Sequence, residues 1–469
     1  MNRLRALCLA LWSLPLCASS VHADLRDGIG TTVCDLGDVD RDGEDDVGVL
    51  VRARGLLIGR FAEDFAVLER APLAPHLAVL SGATGELLRL FPAYEEAGTY
   101  TSLVCGIGDL TGDRRAEVVV SGGGTVRCFS ALTAELLWEA GKGLERKRFG
   151  WNLLRVPDAN EDGADDLVAF CGPTRLRGQD EALHLLSGAD GSILRTLSGK
   201  LPGEGEKAAL GLFTHLELPG GGSTKRNLAP CRPLTLLRDA SGLEKNAVSF
   251  IVRWPSQRRS NPEIFERWTL DLKDFGLQQE GIVPALPWGL CCLGSVNGDD
   301  FADFVTTSRS EWLRVNRGQN GVQLFERTFE GGQTNGEGSE VSSLRDVDGD
   351  GVCEILMSAN EEVADCDGGS ARVISGARGT ELWRLDFQGK NGPALGPCGA
   401  GVDAVGLPAR KARTHDDVVC HMPRLREVRR LDGRNGAVIW RFAYDVDGGG
   451  VVQARPDAEL SGRLIAASR

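Results

Sequence analysis

The amino-acid sequence predicts an all-β fold, a seven-bladed β-propeller of four-stranded antiparallel blades. Three observations lead to this prediction. A nine-residue acidic loop recurs along the chain and is followed each time by a short apolar run. A hairpin with a tight turn comes after the loop, always in the same order. Most neighbouring hairpins are 57 or 58 residues apart, and a period of this size with several short strands per unit is typical of propeller blades.

Residues 1–23 are predicted to be a signal peptide, with cleavage before Asp24. Arg3 and Arg5 precede an apolar run from Ala6 to Ala18, which is the arrangement of an export signal. The run is shorter than the roughly 20 residues of a membrane span, and no other stretch comes close. We therefore expect an exported protein, periplasmic, at the cell surface or extracellular, with no transmembrane segment.

The net charge of the chain and the positions of its cysteines limit the possible partners and indicate the role of the cysteines. The chain has a formal net charge of −13, which argues against nucleic acid as a partner. Cys17 would suit a lipoprotein signal, but the bulky Leu16 before it argues against lipidation. Cys34, Cys105 and Cys291 each lie four residues before an acidic loop, where other copies have Leu or Ser. Such variation is typical of a small buried position, although an exported protein can also pair cysteines as disulfides.

The acidic loops carry oxygen-bearing side chains at positions 1, 3, 5 and 9. Three copies have the full pattern, with glycine at position 6: Asp38, Asp40, Asp42 and Asp46; Asp158, Asn160, Asp162 and Asp166; Asp346, Asp348, Asp350 and Glu354. Two weaker copies lack that glycine: Ser295, Asn297, Asp299 and Asp303; Asp109, Thr111, Asp113 and Glu117. In the last copy Arg114 stands at position 6 with Arg115 beside it, and these cations are candidates to replace an ion.

Alternating oxygen ligands in a tight loop are typical of a Ca²⁺ site. Calcium takes six or more oxygens, and a backbone carbonyl at position 7 would complete the set. An EF-hand is excluded because a strand begins directly after position 9. The alternative is a solvated acidic turn, but clustered carboxylates repel one another unless a cation neutralises them. The loops therefore predict about three to five calcium ions.

The hairpins define the repeat, which also predicts aromatic packing between blades. Their first turn residues are 81, 130, 187, 317, 375 and 432, so that a gap of 130 residues separates the third from the fourth. This gap hides one unit near 210–272, where TLLRD, SFIVRW and FERWTLDL look like strands. Trp138, Trp383, Trp440 and Phe325 fall at one equivalent place, as expected for aromatics between neighbouring sheets. A linear solenoid is the alternative, but four-strand units with internal hairpins favour a closed ring.

These loops and strands resemble FG-GAP repeats, the blades of the propeller at the N-terminus of integrin α-subunits. The resemblance covers 24–447 and predicts one domain there, with a C-terminal strand pair at 448–469 that is a candidate for closing the propeller. The phenylalanine-glycine pair that names the repeat is present at Phe149-Gly150. The resemblance implies calcium-stabilised blades and a role in adhesion. The hairpins are also similar, more faintly, to the tryptophan-ended repeats of quinoprotein propellers.

Two classes of function follow from this pattern. A propeller enzyme, either a quinoprotein-like oxidoreductase or a glycan-active hydrolase or lyase, should show a catalytic constellation. The histidines are scattered, and the GxSxG, HExxH and phosphate-loop motifs are absent. A rigid module that binds a protein or a polysaccharide is therefore the favoured prediction.

Strand alternation predicts which face of the propeller binds the partner. The connections between strands 1 and 2 and between strands 3 and 4 share the face of the metal loops, and the longer connections share the other face. Variable loops on a rigid scaffold are the usual place for recognition. The candidate contacts in the longer connections are Arg54, Arg60, Tyr94, Tyr100, Arg175 and Arg177.

Overall fold

The computed structural model places strands and turns, and no helix, in the part of the chain that it describes. The strands form seven separate antiparallel sheets, which confirms the predicted all-β propeller and its blade number. The described residues are 33–51, 76–92, 103–122, 124–142, 149–150, 152–171, 182–198, 209–210, 234–238, 244–254, 264–275, 277–283, 289–308, 312–328, 337–359, 368–388, 403–407, 415–422, 427–446 and 452–455.

The first three blades each pair four strands in chain order. Blade 1 consists of β1 (Val33–Asp35), β2 (Val47–Val51), β3 (His76–Leu80) and β4 (Leu87–Pro92). Blade 2 consists of β5 (Leu103–Ile107), β6 (Glu117–Gly122), β7 (Thr125–Phe129) and β8 (Leu136–Ala140). Blade 3 consists of β9 (Asn152–Val156), β10 (Asp166–Cys171), β11 (Ala182–Leu186) and β12 (Ile193–Ser198).

The other four blades include two five-stranded sheets, blades 4 and 7. Blade 4 consists of β13 (Ala209–Leu210), β14 (Leu234–Arg238), β15 (Glu244–Trp254), β16 (Ile264–Asp271) and β17 (Leu277–Val283). Blade 5 consists of β18 (Gly289–Cys292), β19 (Phe304–Thr307), β20 (Trp312–Asn316) and β21 (Gln323–Thr328). Blade 6 consists of β22 (Glu337–Leu344), β23 (Glu354–Ala359), β24 (Gly368–Ile374) and β25 (Glu381–Gln388). Blade 7 consists of β26 (Asp403–Leu407), β27 (Asp417–Met422), β28 (Glu427–Asp432), β29 (Val438–Val446) and β30 (Val452–Arg455).

The blades form a closed ring in which one strand of each sheet contacts the corresponding strand of the next sheet. These strands contact one another in the order β1, β5, β9, β14, β18, β22 and β26, and β26 contacts β1 again. A linear solenoid would leave its first and last units apart, so that alternative is wrong. The added strand β30 pairs with β29 and thus extends the outer edge of blade 7.

The hydrophobic core is divided among the seams between blades. Each of the seven core clusters joins residues of two neighbouring blades, including blades 7 and 1. Both faces of every sheet are therefore covered, which is why strands such as β6 and β10 are buried along their whole length. Cys34, Cys105 and Cys291 are buried in these seams, as predicted.

The tryptophans that occupy the same place in the repeat make the same contact between blades. Trp138 donates its indole N–H to the backbone carbonyl of Gly188 in the next blade, at 2.8 Å. Trp383 and Trp440 make the same contact with Gly433 and Gly82, across the seams between blades 6 and 7 and between blades 7 and 1, each at 2.6 Å. A buried indole N–H needs such an acceptor, so these side chains both pack and hydrogen-bond between neighbouring sheets.

The hidden fourth hairpin lies between β16 and β17, just beyond the region in which the sequence placed it. The strand register aligns its turn with the hairpin turn of blade 1, although it contains Leu272 and Phe275 at the two positions that are glycine there. Phe275 adopts φ +61°, the left-handed conformation that glycine occupies most easily. This substitution removed the pattern by which the other turns were recognised.

Candidate metal loops and their hairpins

All five acidic loops join the first strand of a blade to the second. They connect β1 to β2, β5 to β6, β9 to β10, β18 to β19 and β22 to β23. In blades 1, 3 and 6 the hairpin turn between the third and fourth strands hydrogen-bonds to the loop of its own blade. Loops and turns therefore share one face, as strand alternation predicts.

The loop at 38–46 shows how the chain folds around its own carboxylates. Asp38 accepts the N–H of Gly43 at 2.9 Å, and Asp40 accepts the N–H of Asp42 at 2.9 Å. Gly43, at position 6, has φ +94°, so the chain reverses there as the sequence predicts. Asp46, at position 9, then accepts the N–H of Val39 at 2.7 Å. Three candidate ligands are thus held by backbone N–H groups.

In blades 1, 3 and 6 the hairpin turn supports the acidic loop of its own blade, a relation that was not predicted from the sequence. The hydroxyls of Ser81, Ser187 and Ser375 donate to the carboxylate at loop position 5, at 3.5, 3.2 and 3.4 Å. The N–H of Gly82 donates to the position 9 carboxylate of its blade at 2.8 Å, and Gly188 does the same at 3.1 Å. The recurrence of Ser-Gly after every full loop was the signal that could have revealed this.

The glycine of this pair is required by close backbone packing. A Cβ atom on Gly82 would lie 1.7 Å from the carbonyl oxygen of Asp45, at loop position 8. The equivalent distance from Gly188 to the carbonyl oxygen of Asp165 is 1.8 Å. The loop and the turn, which appear in the sequence as separate signals, therefore form one packed unit.

Carboxylates converge most closely in three of the five loops. Within the described residues there are three acidic groups in which each side chain has one carboxylate oxygen within 4.8 Å of those of the others. These groups are Asp346, Asp348, Asp350 and Glu354; Asp38, Asp40 and Asp42; and Asp109, Asp113 and Glu117. Asp46 is not part of its group at that distance, although its loop has the full sequence pattern.

The loops with asparagine at position 3 are arranged differently. The side-chain amide of Asn160 donates to Asp162 at 2.8 Å, and that of Asn297 donates to Asp299 at 2.8 Å. The amide N–H groups thus face the carboxylate at position 5 in both loops. In the second of them Ser295 donates to the amide oxygen of Asn297 at 3.3 Å.

The carboxylate at position 9 is buried in every loop. Burial raises the pKa of Asp46 and of Glu117 to about 7, that of Asp166 to about 6 and that of Glu354 to about 8. It also raises the pKa of Asp303. Removal from water disfavours the charged form, and a bound cation would favour it again.

The donor set of the loop at 38–46 fits the calcium that the sequence predicts. It consists of oxygen atoms alone, as a hard cation requires. One oxygen of Asp38, Oδ1, is buried and accepts no hydrogen bond, while Oδ2 accepts the N–H of Gly43. A buried carboxylate oxygen without a donor is costly, and coordination of a cation would satisfy it.

The loop at 109–117 is instead satisfied from within the protein. Both oxygens of Asp109 accept backbone N–H groups of the loop, and Arg114 takes φ +65° at the position of the missing glycine. The cation beside Asp113 is Arg115, at 3.4 Å, which also donates to the Val39 carbonyl of the neighbouring loop at 2.5 Å. Of the two arginines that the sequence singled out, Arg115 is thus the one whose guanidinium group pairs with a candidate ligand, Asp113.

An arginine side chain also pairs with the acidic loop of blade 6. Arg378, in the hairpin turn after β24, forms an ion pair with Asp348 and lies 3.4 Å from Asp350. Its side chain is 56% exposed, so it can leave the loop without disturbing a packed core. Arg378 was not predicted as a contact of the loop, because its position in the turn carries no repeated pattern.

The predicted recognition residues Arg54, Arg60, Tyr94, Tyr100, Arg175 and Arg177 lie outside the described residues, as does the predicted signal peptide at 1–23. Among the residues that the structure describes, no helix is long and apolar enough to cross a membrane.

Comparisons with known proteins return similar structures only. No protein-family model matches the sequence, and no curated protein matches it either. The chain is similar to BBS1N, solved in complex with ARL6DN, at 11% identity and a TM-score of 0.46, over 85% of this chain and 93% of that one. It is similar to BamB from Moraxella catarrhalis at 12% identity and a TM-score of 0.33, over 87% and 99% of the two chains. It is similar to the quinohemoprotein alcohol dehydrogenase from Comamonas testosteroni at 9% identity and a TM-score of 0.41, over 80% and 66%. At these identities and scores the similarities imply nothing about the function of this chain.

Proposed function

We propose that this protein is an exported calcium-binding propeller of the FG-GAP type, which acts as a rigid module for binding a protein or a polysaccharide, as in adhesion. The observation that supports this most directly is the packed unit of acidic loop and Ser-Gly hairpin. It recurs in blades 1, 3 and 6 with the same hydrogen bond from the serine to the position 5 carboxylate. A turn that was merely solvated would have no need for this support.

Calcium explains the charge arrangement of the loops. The position 9 side chains of Asp46, Asp166 and Glu354 are fully buried. Backbone N–H groups compensate such a charge only in part, as the raised pKa values indicate. A divalent ion bound by positions 1, 3, 5 and 9 would provide the missing positive charge. The protein's residues would hold it through carboxylate oxygens and the carbonyl at position 7.

The binding role rests on the position of the loops in the blade. Metal loops and hairpins occupy one face, where short connections and hydrogen bonds hold them rigid. The ends of the strands between which the long connections are expected, Val51 and His76 in blade 1 and Cys171 and Ala182 in blade 3, lie opposite that face. A propeller whose seams are filled by apolar side chains is a stiff platform for such connections.

Metal analysis and thermal melts test the calcium proposal. Native mass spectrometry of the exported chain should show about three to five calcium ions, which EDTA removes. Because an ion that binds only the folded state stabilises it, calcium should raise the melting temperature. A protein without bound metal, whose melting temperature is the same in calcium and in EDTA, would refute the proposal.

Loop variants test the binding role and its face. Shortening Leu56 to Arg70, or replacing Arg175 and Arg177 by Ala, should abolish capture of a partner while calcium content stays unchanged. Asp162→Ala is the matched control, and it should lose an ion first and affect capture only through the fold. The partner is first identified with a glycan array and with a pull-down from envelope extract, each carried out with and without EDTA. A partner footprint on 38–46 and 346–354 in hydrogen exchange would overturn the assignment of faces.

A further inference from the structure

Blade 7 contains a buried arginine at a place where five of the other blades have an apolar residue or cysteine and blade 4 has Thr269. The strand register pairs Arg430 with Trp440, just as it pairs Cys128 with Trp138 and Val373 with Trp383. The side chain of Arg430 is 1% exposed. A charged group is rarely buried to this extent unless it is paired, so its partners indicate its role.

The guanidinium group binds both blades that meet where the ring closes. In blade 7 its Nε donates to Asp417 Oδ2 at 2.8 Å, and its Nη2 lies 2.7 Å from the same oxygen. In blade 1 its Nη1 donates to the Gly82 carbonyl at 2.6 Å, and its Nη2 donates to Glu44 at 3.0 Å. All three of its nitrogens therefore have an acceptor, and two of them reach across the seam.

Asp417 is the counterpart of the position 9 carboxylates in the metal loops. It pairs with Leu407 at the end of β26, as Asp166 pairs with Val156 and Glu354 pairs with Leu344. The segment before it, 409–417, reads ARKARTHDD and has no acidic residue at positions 1, 3 or 5. The blade thus keeps the buried carboxylate and lacks the other ligands of an ion.

We infer that Arg430 closes the ring in place of an ion and also positions the metal loop of blade 1. The guanidinium neutralises the retained carboxylate of blade 7, and its fork geometry lets one group bridge several acceptors. Glu44 stands at position 7 of the loop at 38–46, and Gly82 donates its N–H to Asp46 at position 9. Arg430 holds both residues, so the loop takes its shape partly from the last blade.

Hydrogen exchange in EDTA tests ring closure without any dependence on calcium. Arg430→Met with Asp417→Asn removes the ion pair within blade 7, so that Asp417 is not left as an unpaired buried charge. We expect exchange to rise by roughly tenfold in β1, β2 and β28, because the variant also loses the hydrogen bonds that Arg430 donates across the seam to Gly82 and Glu44. Exchange in β9 and β10, two seams away, should stay as in the parent protein. An increase in exchange that is equal in all blades, or no increase at the seam between blades 7 and 1, would overturn the inference.

A milder pair of variants covers the case in which that protein does not fold. Glu44→Gln removes only the charged tie to blade 1, whereas Trp440→Phe removes another donor to the same Gly82 carbonyl and leaves Arg430 in place. We expect the first variant to open β1 and β28 more than the second does. If both open the seam to the same extent, the guanidinium has no particular role and the inference is wrong.

The positioning role rests on the proposed calcium binding and has its own readout. In a calcium titration followed by hydrogen exchange, the Glu44→Gln variant should protect 38–46 only at a higher calcium concentration, while the midpoint for 158–166 stays the same. Equal midpoints for both loops in parent and variant would disprove positioning. If neither loop responds to calcium in the parent protein, the proposed function fails and the positioning role fails with it, while ring closure is judged by the EDTA experiment.

Discussion

Replacing Glu354 by Gln should have opposite effects on stability with and without calcium. In the metal-free protein, burial raises the pKa of Glu354 from 4.5 to about 8. Between these values the folded protein keeps a proton that the unfolded chain releases. The stability associated with this group is therefore complete below pH 4.5 and is lost as the pH rises towards about 8.

The size of the effect follows from the same values. At pH 7 the folded protein has lost about 3 kcal/mol relative to acid pH, since each pKa unit corresponds to about 1.4 kcal/mol. Gln cannot ionise, so the variant avoids this loss. Its amide can accept the N–H of Val347 or of Asp348 but not both, which costs about 1 kcal/mol. We expect a net gain on the order of 2 kcal/mol in EDTA.

Calcium should reverse the sign. Loss of a direct ligand should cost at least the roughly 100-fold in affinity that is the upper end of the cost of losing an outer partner. At saturating calcium a 100-fold loss removes about 2.7 kcal/mol of stabilisation. Denaturant unfolding at pH 7 in EDTA and in calcium measures both effects, with Glu326→Gln, on an exposed strand residue, as the control. A variant that is less stable than the parent in EDTA, or equally stable in calcium, would refute the reasoning.

Three further predictions concern single side chains of the loops. Asp40→Ala should remove one calcium ion in native mass spectrometry while Thr111→Ala removes none, because the loop of the latter is satisfied by its own backbone and by an arginine; equal losses would contradict this ranking. Arg378→Ala should raise the calcium affinity of 346–354 by about two- to fivefold at low salt, since an exposed ion pair is worth about 0.2 to 1 kcal/mol, and calorimetric titrations should show the gain fading at high salt; an unchanged affinity at low salt would mean that the arginine does not compete. Ser187→Ala should weaken calcium binding in its blade by roughly tenfold because it removes an outer hydrogen bond to a ligand, and a titration that matches the parent protein would show that the serine supports the turn alone.

Much of the candidate site was predictable because its signals are local. Alternating carboxylates, the glycine at position 6 and the start of a strand after position 9 all lie within nine residues. Their hydrogen bonds in the loop at 38–46 follow from that spacing, since Asp38 and Gly43 are close in the chain. The same locality explains the failure at the fourth hairpin. There Phe275 adopts the left-handed conformation that glycine has in the other turns, so the residue type at this position did not indicate a turn.

Contacts between distant segments were not predictable from the pattern. Arg378 reaches Asp348 from 30 residues away, and Ser81 reaches Asp42 from 39 residues away. These contacts depend on the register between the second and third strands of a blade. That register is set by side-chain packing on both faces of the sheet, which a single repeat unit does not reveal.

The sequence by itself determined the blade order and the acidic loops, because a strand, a turn and an Asp-rich loop are encoded by a few neighbouring residues. The tertiary structure alone decided which cations lie at those loops and how the ring closes. Arg430 and Glu44 are 386 residues apart in the chain and 3.0 Å apart in the fold. They meet because the last blade must cover the exposed apolar face of the first, which brings the guanidinium of Arg430, already paired with Asp417 of its own blade, beside an acceptor of the neighbouring blade.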